Sequence, residues 1–208
     1  MIKAVLFDFD GVLTTDATGS ESICKYISIE AGIEYTLLLN TYRQYNRDLL
    51  YGFKTHVDIW EEFCQSLGIK IDIRFLHDSF ISTPIDVEME ELVFKLKKSG
   101  YIIGMITDNK KDRIDAIVEY KKWNRLFDAI TISACVGSAK SSEIIFSKTL
   151  SDITLKADEC VFIDNNHKNL TIPESMGMNT IYFDDIKRDM TALENSLIEL
   201  GIKMQKSF

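Results

Sequence analysis

The sequence predicts an α/β fold in three layers, a parallel sheet covered by helices on both faces, with a small all-helical unit inserted near its start. Three observations carry this. Five short runs rich in Val, Ile, Phe and Tyr recur along the chain, segments of helical spacing separate them, and one long early stretch shows helical patterns alone. Alternation of strand and helix implies parallel strands buried on both faces. A chain of 208 residues accommodates one domain of about 130 residues and an insertion of about 70.

The first apolar run, KAVLF at 3–7, leads into LFDFDGVLTTD, from Leu6 to Asp16. From about Thr14 to Pro84 only helical patterns follow. In LLNTYRQYNRDLL one helical face would carry Leu38, Tyr42, Tyr45 and Leu49, and in VDIWEEFCQSLG another would carry Val57, Trp60, Cys64 and Leu67. Thr55 and Asp58, three apart, predict a capping-type start for the second helix. Next, VEMEELVFKLKKSG aligns Met89, Leu92, Val93 and Leu96, with Gly100 as a stop. The remaining strands are read at YIIGMI (101–106), DAITIS (128–133), CVFI (160–163) and NTIYF (179–183). Residues 1–13 and 85–208 would form the α/β core and 14–84 the helical unit. With two prolines in the chain, a hinge falls in the loops near Thr14 and Pro84.

The formal net charge of −8 argues against capture of a nucleic acid backbone, which requires clustered Lys and Arg. Cys24, Cys64, Cys135 and Cys160 have neither disulfide nor zinc spacing and read as reduced thiols. The opening apolar run is too short for a signal peptide, and nothing approaches the ~20 apolar residues of a membrane helix. The expectation is a cytoplasmic protein, monomer or homodimer, with no membrane or nucleic acid partner.

Asp8 and Asp10 stand two apart at the end of the first strand, where alternation would place both carboxylates on one face. Like charges so close repel. Either both are solvated in a turn, or a cation and a reaction explain them. Parallel sheets bind ligands at the carboxyl ends of their strands. There Thr107 follows YIIGMI, Asp164 follows CVFI, and Lys140 in GSAKSSEIIF precedes a helical stretch. Together the five suit a phosphate monoester. Mg²⁺ would bridge carboxylates and phosphate, Lys140 would act as a point charge on the phosphate, and Thr107 would supply a hydroxyl. Asp8 would attack phosphorus while Asp10 exchanged protons with the leaving oxygen and then with water.

From VLFDFDGVLT through MITDN and GSAKSSEIIF to VFIDNNHKNLTIPESMGMNTIYF, order and spacing resemble the haloacid dehalogenase-like superfamily. The resemblance implies a Rossmannoid core with a small helical cap and Mg²⁺-dependent phosphoryl transfer through an aspartyl phosphate. It implies catalytic roles for Asp8 and Asp10, phosphate binding by Thr107, Asp108 and Lys140, and metal binding by Asp8, Asp10 through its backbone carbonyl, Asp164 and Asn165. Two departures stand out. Asn165 occupies a position where relatives often carry a second acid, and no proline follows Lys140.

Among other residues, His167 reads as a solvated loop histidine, and His56 and His77 as surface of the inserted unit. Arg43 and Arg47, four apart, read as a solvated helix face, with anion binding as the alternative. The expected function is a phosphatase of a small phosphorylated metabolite of sugar-phosphate type. A hexose phosphate mutase would use the same residues. A 2-haloacid dehalogenase would place Arg43 on a carboxylate but has no need of Asp10, and Asn165 is the one hint of a non-catalytic binding module.

Overall fold

The computed structural model describes residues 1–204. In it the five expected strands, β1 Ala4–Phe7, β2 Ile102–Thr107, β3 Ala129–Ile132, β4 Cys160–Asp164 and β5 Asn179–Tyr182, form one parallel sheet in the order β3-β2-β1-β4-β5. Central β1 is buried along its whole length. Alternation sends Val5 and Phe7 into a core shared with Ile103, Met105, Val161 and Ile163, while Ala4 and Leu6 join Ile106, Phe146 and Phe162 on the other side. Both sides are apolar, hence the unbroken apolar runs.

Between β1 and β2 come α1 Gly19–Ala31, α2 Tyr35–Arg43, α3 Asn46–Leu50, α4 His56–Leu67 and α5 Arg74–Ile81, then α6 Val87–Lys98. Thr14 and Ile85 pair as an antiparallel bridge. Thr15 N–H donates to Pro84 O at 3.0 Å and Asp86 N–H to Leu13 O at 3.0 Å. The chain therefore leaves and re-enters the sheet layer through one narrow neck at the expected loops. The rest of the order is α7 Lys111–Lys121 after β2, α8 Ser133–Val136 and α9 Glu143–Ile153 after β3, α10 His167–Ser175 after β4, and α11 Met190–Glu199 after β5. Met89, Leu92, Val93 and Leu96 are all buried on α6. No helix among the described residues is long and apolar enough to cross a membrane.

Two helical readings need correction. The segment around Tyr42 is two helices broken at Gln44 and Tyr45, although Leu38, Tyr42, Tyr45 and Leu49 are all buried. In α4, Val57 is 70% exposed and the buried stripe is His56, Ile59, Trp60, Phe63 and Leu67. His56 belongs to that stripe although it is polar, because both ring nitrogens find partners. Nε2 lies 2.7 Å from Tyr42 Oη and Nδ1 lies 2.7 Å from Asp112 Oδ2 on α7, which removes the cost of burying an unsatisfied ring. The expected helix start is present: Asp58 N–H donates to Thr55 Oγ1, and Thr55 N–H donates to Asp58 Oδ2.

Candidate active site

Because β1, β2 and β4 are adjacent and parallel, Asp8, Thr107 and Asp164 reach the same edge of the sheet. A cavity of about 540 Å³ opens there, lined by Asp8, Asp10, Thr107, Asp108, Lys140 and Asn165 among others. Asp164 is fully buried beneath it. A larger groove of about 700 Å³ on the outer side of α4 is lined by Val57, Trp60, Cys64 and Ile71 and contains none of these residues. Convergent polar groups distinguish the strand-edge cavity.

Lys140 is the hub. Its Nζ lies 2.7 Å from Asp8 Oδ1 and 2.6 Å from Asp164 Oδ2, and its backbone N–H donates to Asp108 Oδ1 at 2.8 Å. Asp164 also accepts from Asn166 N–H at 2.7 Å and from Asn169 Nδ2 at 3.1 Å. Burial raises the Asp8 carboxyl well above its usual range; the Lys140 ammonium opposes this and the Asp164 charge reinforces it. Burial works against the charge of Lys140, but Asp8, Asp164 and Asp108 together hold it above the ordinary lysine value. Two buried carboxylates thus share one ammonium.

Asp10 belongs to a different ion pair. Arg113 Nη1 donates to Asp10 Oδ2 at 2.9 Å and Nη2 to Oδ1 at 2.8 Å, a two-pronged contact, and Asn109 Nδ2 donates to Oδ2 at 2.8 Å. Both carboxylates line the one cavity, as expected, but strand alternation is not what places Asp10. The strand ends at Phe7, and the chain turns through Asp10 and Gly11, the latter at φ 80°. Gly11 is favoured because its φ is left-handed; a Cβ there would also come 2.2 Å from Asn165 Nδ2 and displace that side chain. Behind the turn, Arg188 donates to Gly11 O and Val12 O at 2.9 Å each and to Asp86 Oδ2 at 2.6 Å.

Sequence reasoning missed Asn109, Lys110 and Arg113, Ser20 and Asn46 from the inserted helices, and Asn166, Asn169 and Asp185. All but Asn109 and Arg113, which are fully buried, line the cavity. A signal did exist for three of them in TDNKKDR, a dense polar run directly after a strand end. Arg43 is half-exposed and 3.7 Å from Glu21, Arg47 is exposed, and neither lines the cavity. The solvated reading holds for both. His167 is exposed, stacked on Tyr182, and His77 is exposed.

A family model of haloacid dehalogenase-like hydrolases matches residues 2–177. The chain belongs to the haloacid dehalogenase-like hydrolase family. Among relatives of this hydrolase is a drimenol cyclase, drtB of Aspergillus calidoustus, 29% identical over 98% of this chain, which spans 38% of that protein's length. Pyrophosphatase PpaX of Bacillus cereus is 25% identical, covering 86% of this chain and 82% of its own. A glyceraldehyde 3-phosphate phosphatase of Pyrococcus furiosus is 24% identical, with coverage of 88% and 80%. The fold is shared with a predicted HAD-like hydrolase from Porphyromonas gingivalis (TM-score 0.71, 22% identity, coverage 95% and 98%). It is also shared with a HAD-family enzyme of Bacteroides thetaiotaomicron solved with magnesium and inorganic phosphate (TM-score 0.67, 18% identity, coverage 93% and 99%).

Whether this hydrolase can hold a divalent cation is a question of its donors. Among the described residues no three His, Cys, Asp or Glu side chains are grouped as ligands. Asp8 and Asn165 offer oxygen donors in the cavity, and the expected set would add the Asp10 carbonyl and Asp164, whose oxygens already accept from Lys140, Asn166 and Asn169. Such an all-oxygen set fits Mg²⁺, which keeps several waters and takes only one or two carboxylates from a protein. A second feature agrees: two buried carboxylates crowd one ammonium, and a cation beside Asp8 would favour its ionised form against burial.

Proposed function

We propose that this hydrolase is a Mg²⁺-dependent phosphatase of a small phosphorylated metabolite of sugar-phosphate type, acting through a phosphoryl group carried on Asp8. The observation that carries the reading is the division of one Asp-x-Asp pair between two ion pairs, Asp8 with Lys140 and Asp10 with Arg113. Residues so close in sequence but so differently held are suited to different work.

In this reading Asp8 attacks phosphorus, the P–O bond to the leaving group breaks, and Asp10 delivers a proton to the departing oxygen. Asp10 then takes a proton from water, which attacks the acyl phosphate, releases inorganic phosphate and restores Asp8. The Thr107 hydroxyl, the Asp108 backbone N–H and the Lys140 ammonium donate to the phosphoryl oxygens, while the Asp108 side chain accepts from the Lys140 backbone N–H. Mg²⁺, held by Asp8, the Asp10 carbonyl, Asp164 and Asn165, would supply charge neutralisation for the incoming dianion. The helical unit over 14–84 would act as a cap, a role supported by Gly19, Ser20, Asn46 and Leu50, which line the cavity opposite the strand ends. Cytoplasmic location and a monomer or homodimer belong to the same reading. The named activities of the pyrophosphatase and glyceraldehyde 3-phosphate phosphatase relatives support it. A dehalogenase reading is disfavoured by the outward Arg43 and the ion-paired Asp10 in the cavity.

The test is release of inorganic phosphate from p-nitrophenyl phosphate and a metabolite panel, with Mg²⁺ and with excess chelator. Mg²⁺-dependent release that vanishes in Asp8→Asn is expected. No release from any monoester or anhydride overturns the proposal.

A further inference from the structure

Lys110 is 4% exposed, yet it forms no ion pair among the described residues. Its ammonium lies 5.6 Å from the centre of the Tyr42 ring and donates a long hydrogen bond, 3.4 Å, to Ser20 Oγ. Ser20 Oγ in turn donates to Asn46 Oδ1 at 3.0 Å. Lys110, Ser20 and Asn46 all line the cavity that contains Asp8 and Lys140. Burying an ammonium without a counter-ion is unfavourable, and here burial, with the neighbouring Arg113 charge, lowers Lys110 to about 8. The fold has placed a cation where water serves it poorly and no carboxylate pairs with it directly, Asp10 and Asp112 favouring its charge only from a distance.

The other cations at or near the cavity are engaged or turned away. Lys140 lies between Asp8 and Asp164, and the Arg113 fork is closed on Asp10. Arg43 pairs with Glu21, and Arg47 faces solvent. The start of α1, from its cap Thr18 through Gly19 and Ser20, also faces the cavity, so the positive end of a 13-residue helix adds to the field of Lys110. These groups come from α1, α3 and the loop before α7, opposite the strand-edge residues that receive the phosphoryl group.

We propose that Lys110, Ser20 and Asn46 bind a second anionic group, a carboxylate or a phosphate, carried by the leaving group. This rests on the phosphatase reading and narrows it. The substrate is a phosphoric ester or anhydride with two separate anionic groups, because an uncharged leaving group would bring Lys110 no counter-ion.

The experiment compares three probes, inorganic pyrophosphate, 2-phosphoglycolate and ethyl phosphate. The proteins are the full chain and its Lys110→Met and Lys110→Arg variants. Methionine keeps the apolar stem against Tyr42 and removes only the charge. In Mg²⁺ buffer the kcat/KM ratio of each doubly anionic probe over ethyl phosphate is expected to fall about tenfold or more in Lys110→Met, and to recover at least in part in Lys110→Arg. Loss from pyrophosphate alone identifies the second group as phosphate, and loss from phosphoglycolate alone identifies it as carboxylate. An unchanged ratio overturns the proposal, as does an unsubstituted enzyme that prefers ethyl phosphate to both.

Calorimetric binding of the same probes to Asp8→Asn, with and without Lys110→Met, separates this proposal from its foundation. Tighter binding of a doubly anionic probe that depends on Lys110, without turnover of any probe by the unmodified protein, would sink the phosphatase reading and leave the anion site standing. Equal binding of all three probes sinks the anion site. Should Lys110→Met fail to fold, the Lys110→Gln variant is measured in the same way.

Discussion

His56 Nδ1 lies 2.7 Å from Asp112 Oδ2, a contact that joins α4 of the inserted helices to α7 of the sheet layer. With Tyr42 Oη on Nε2, the tautomer protonated at Nδ1 satisfies both partners and leaves His56 neutral and Asp112 ionised. Burial lowers the His56 value, aided by Lys110 and Arg113, and outweighs the opposing pull of Asp112. A histidine whose folded value lies below its unfolded one stabilises the fold fully above about pH 6.5 and loses that contribution as pH falls. Burial raises Asp112, but the His56 contact and the Arg113 backbone N–H together bring it below the usual carboxylate value, so its contribution is lost in the same direction at still lower pH. The His56 share of the pH dependence should therefore be a fall in urea stability between pH 7 and 5 of at most about 1.4 kcal/mol per pH unit for one proton, opposed by the raised Asp8 and Asp108 carboxyls. His56→Gln should flatten that slope, and identical slopes would remove His56 as the cause.

Asp8→Asn should abolish turnover, by about 10³-fold or more, because an amide does not attack phosphorus. Asp10→Asn should slow ethyl phosphate more than p-nitrophenyl phosphate, since only the alkoxide strongly needs a proton as it leaves. Steady-state kinetics on both esters decides; equal losses on the two would assign Asp10 to structure.

A Cβ on residue 19 would come 2.3 Å from Arg113 Nη1 and 2.7 Å from its Cζ. Arg113 is 0% exposed and its guanidinium is held by Asp10 and Asn109, so it has little room to retreat. Gly19→Ala is expected to cost about 1–3 kcal/mol of stability by urea unfolding, the usual price of overpacking, and to lower turnover by displacing Asp10. Unfolding free energy within 0.5 kcal/mol of the parent, on the order of a neutral surface change, would show that the arginine moves freely.

Asn165→Asp should tighten Mg²⁺ binding by about tenfold, through added charge where one donor is now a neutral amide. Calorimetric titration with Mg²⁺ measures this without turnover. Unchanged affinity would place residue 165 outside the coordination sphere.

The residues legible in the sequence are those fixed by a local rule. Asp8, Thr107 and Asp164 each end an apolar run, and parallel pairing brings strand ends together whatever the connections do. Lys140 was legible because it sits just before a helical pattern in the right interval. What could not be read is what depends on pairs remote in the chain. Arg113 meets Asp10 across 103 positions, and no periodicity in either segment announces the other. His56 was misplaced for a different reason: a hydrophobic stripe is read from apolar residues, and a polar ring completes this one through partners on two other helices.

Arg188 holds the turn after β1 by its two carbonyls, Gly11 O and Val12 O, from as many as 177 positions away, in a left-handed backbone at φ 48° that costs a non-glycine residue about 1–2 kcal/mol. The consequence concerns the order of synthesis. The ribosome delivers Asp8 and Asp10 long before Arg188, so a nascent chain can assemble most of its sheet while this turn still lacks its final fastening. Chains arrested before residue 188 should show fast amide exchange at Gly11 through Thr14, and slow exchange should arrive only once the arginine is free to fold back.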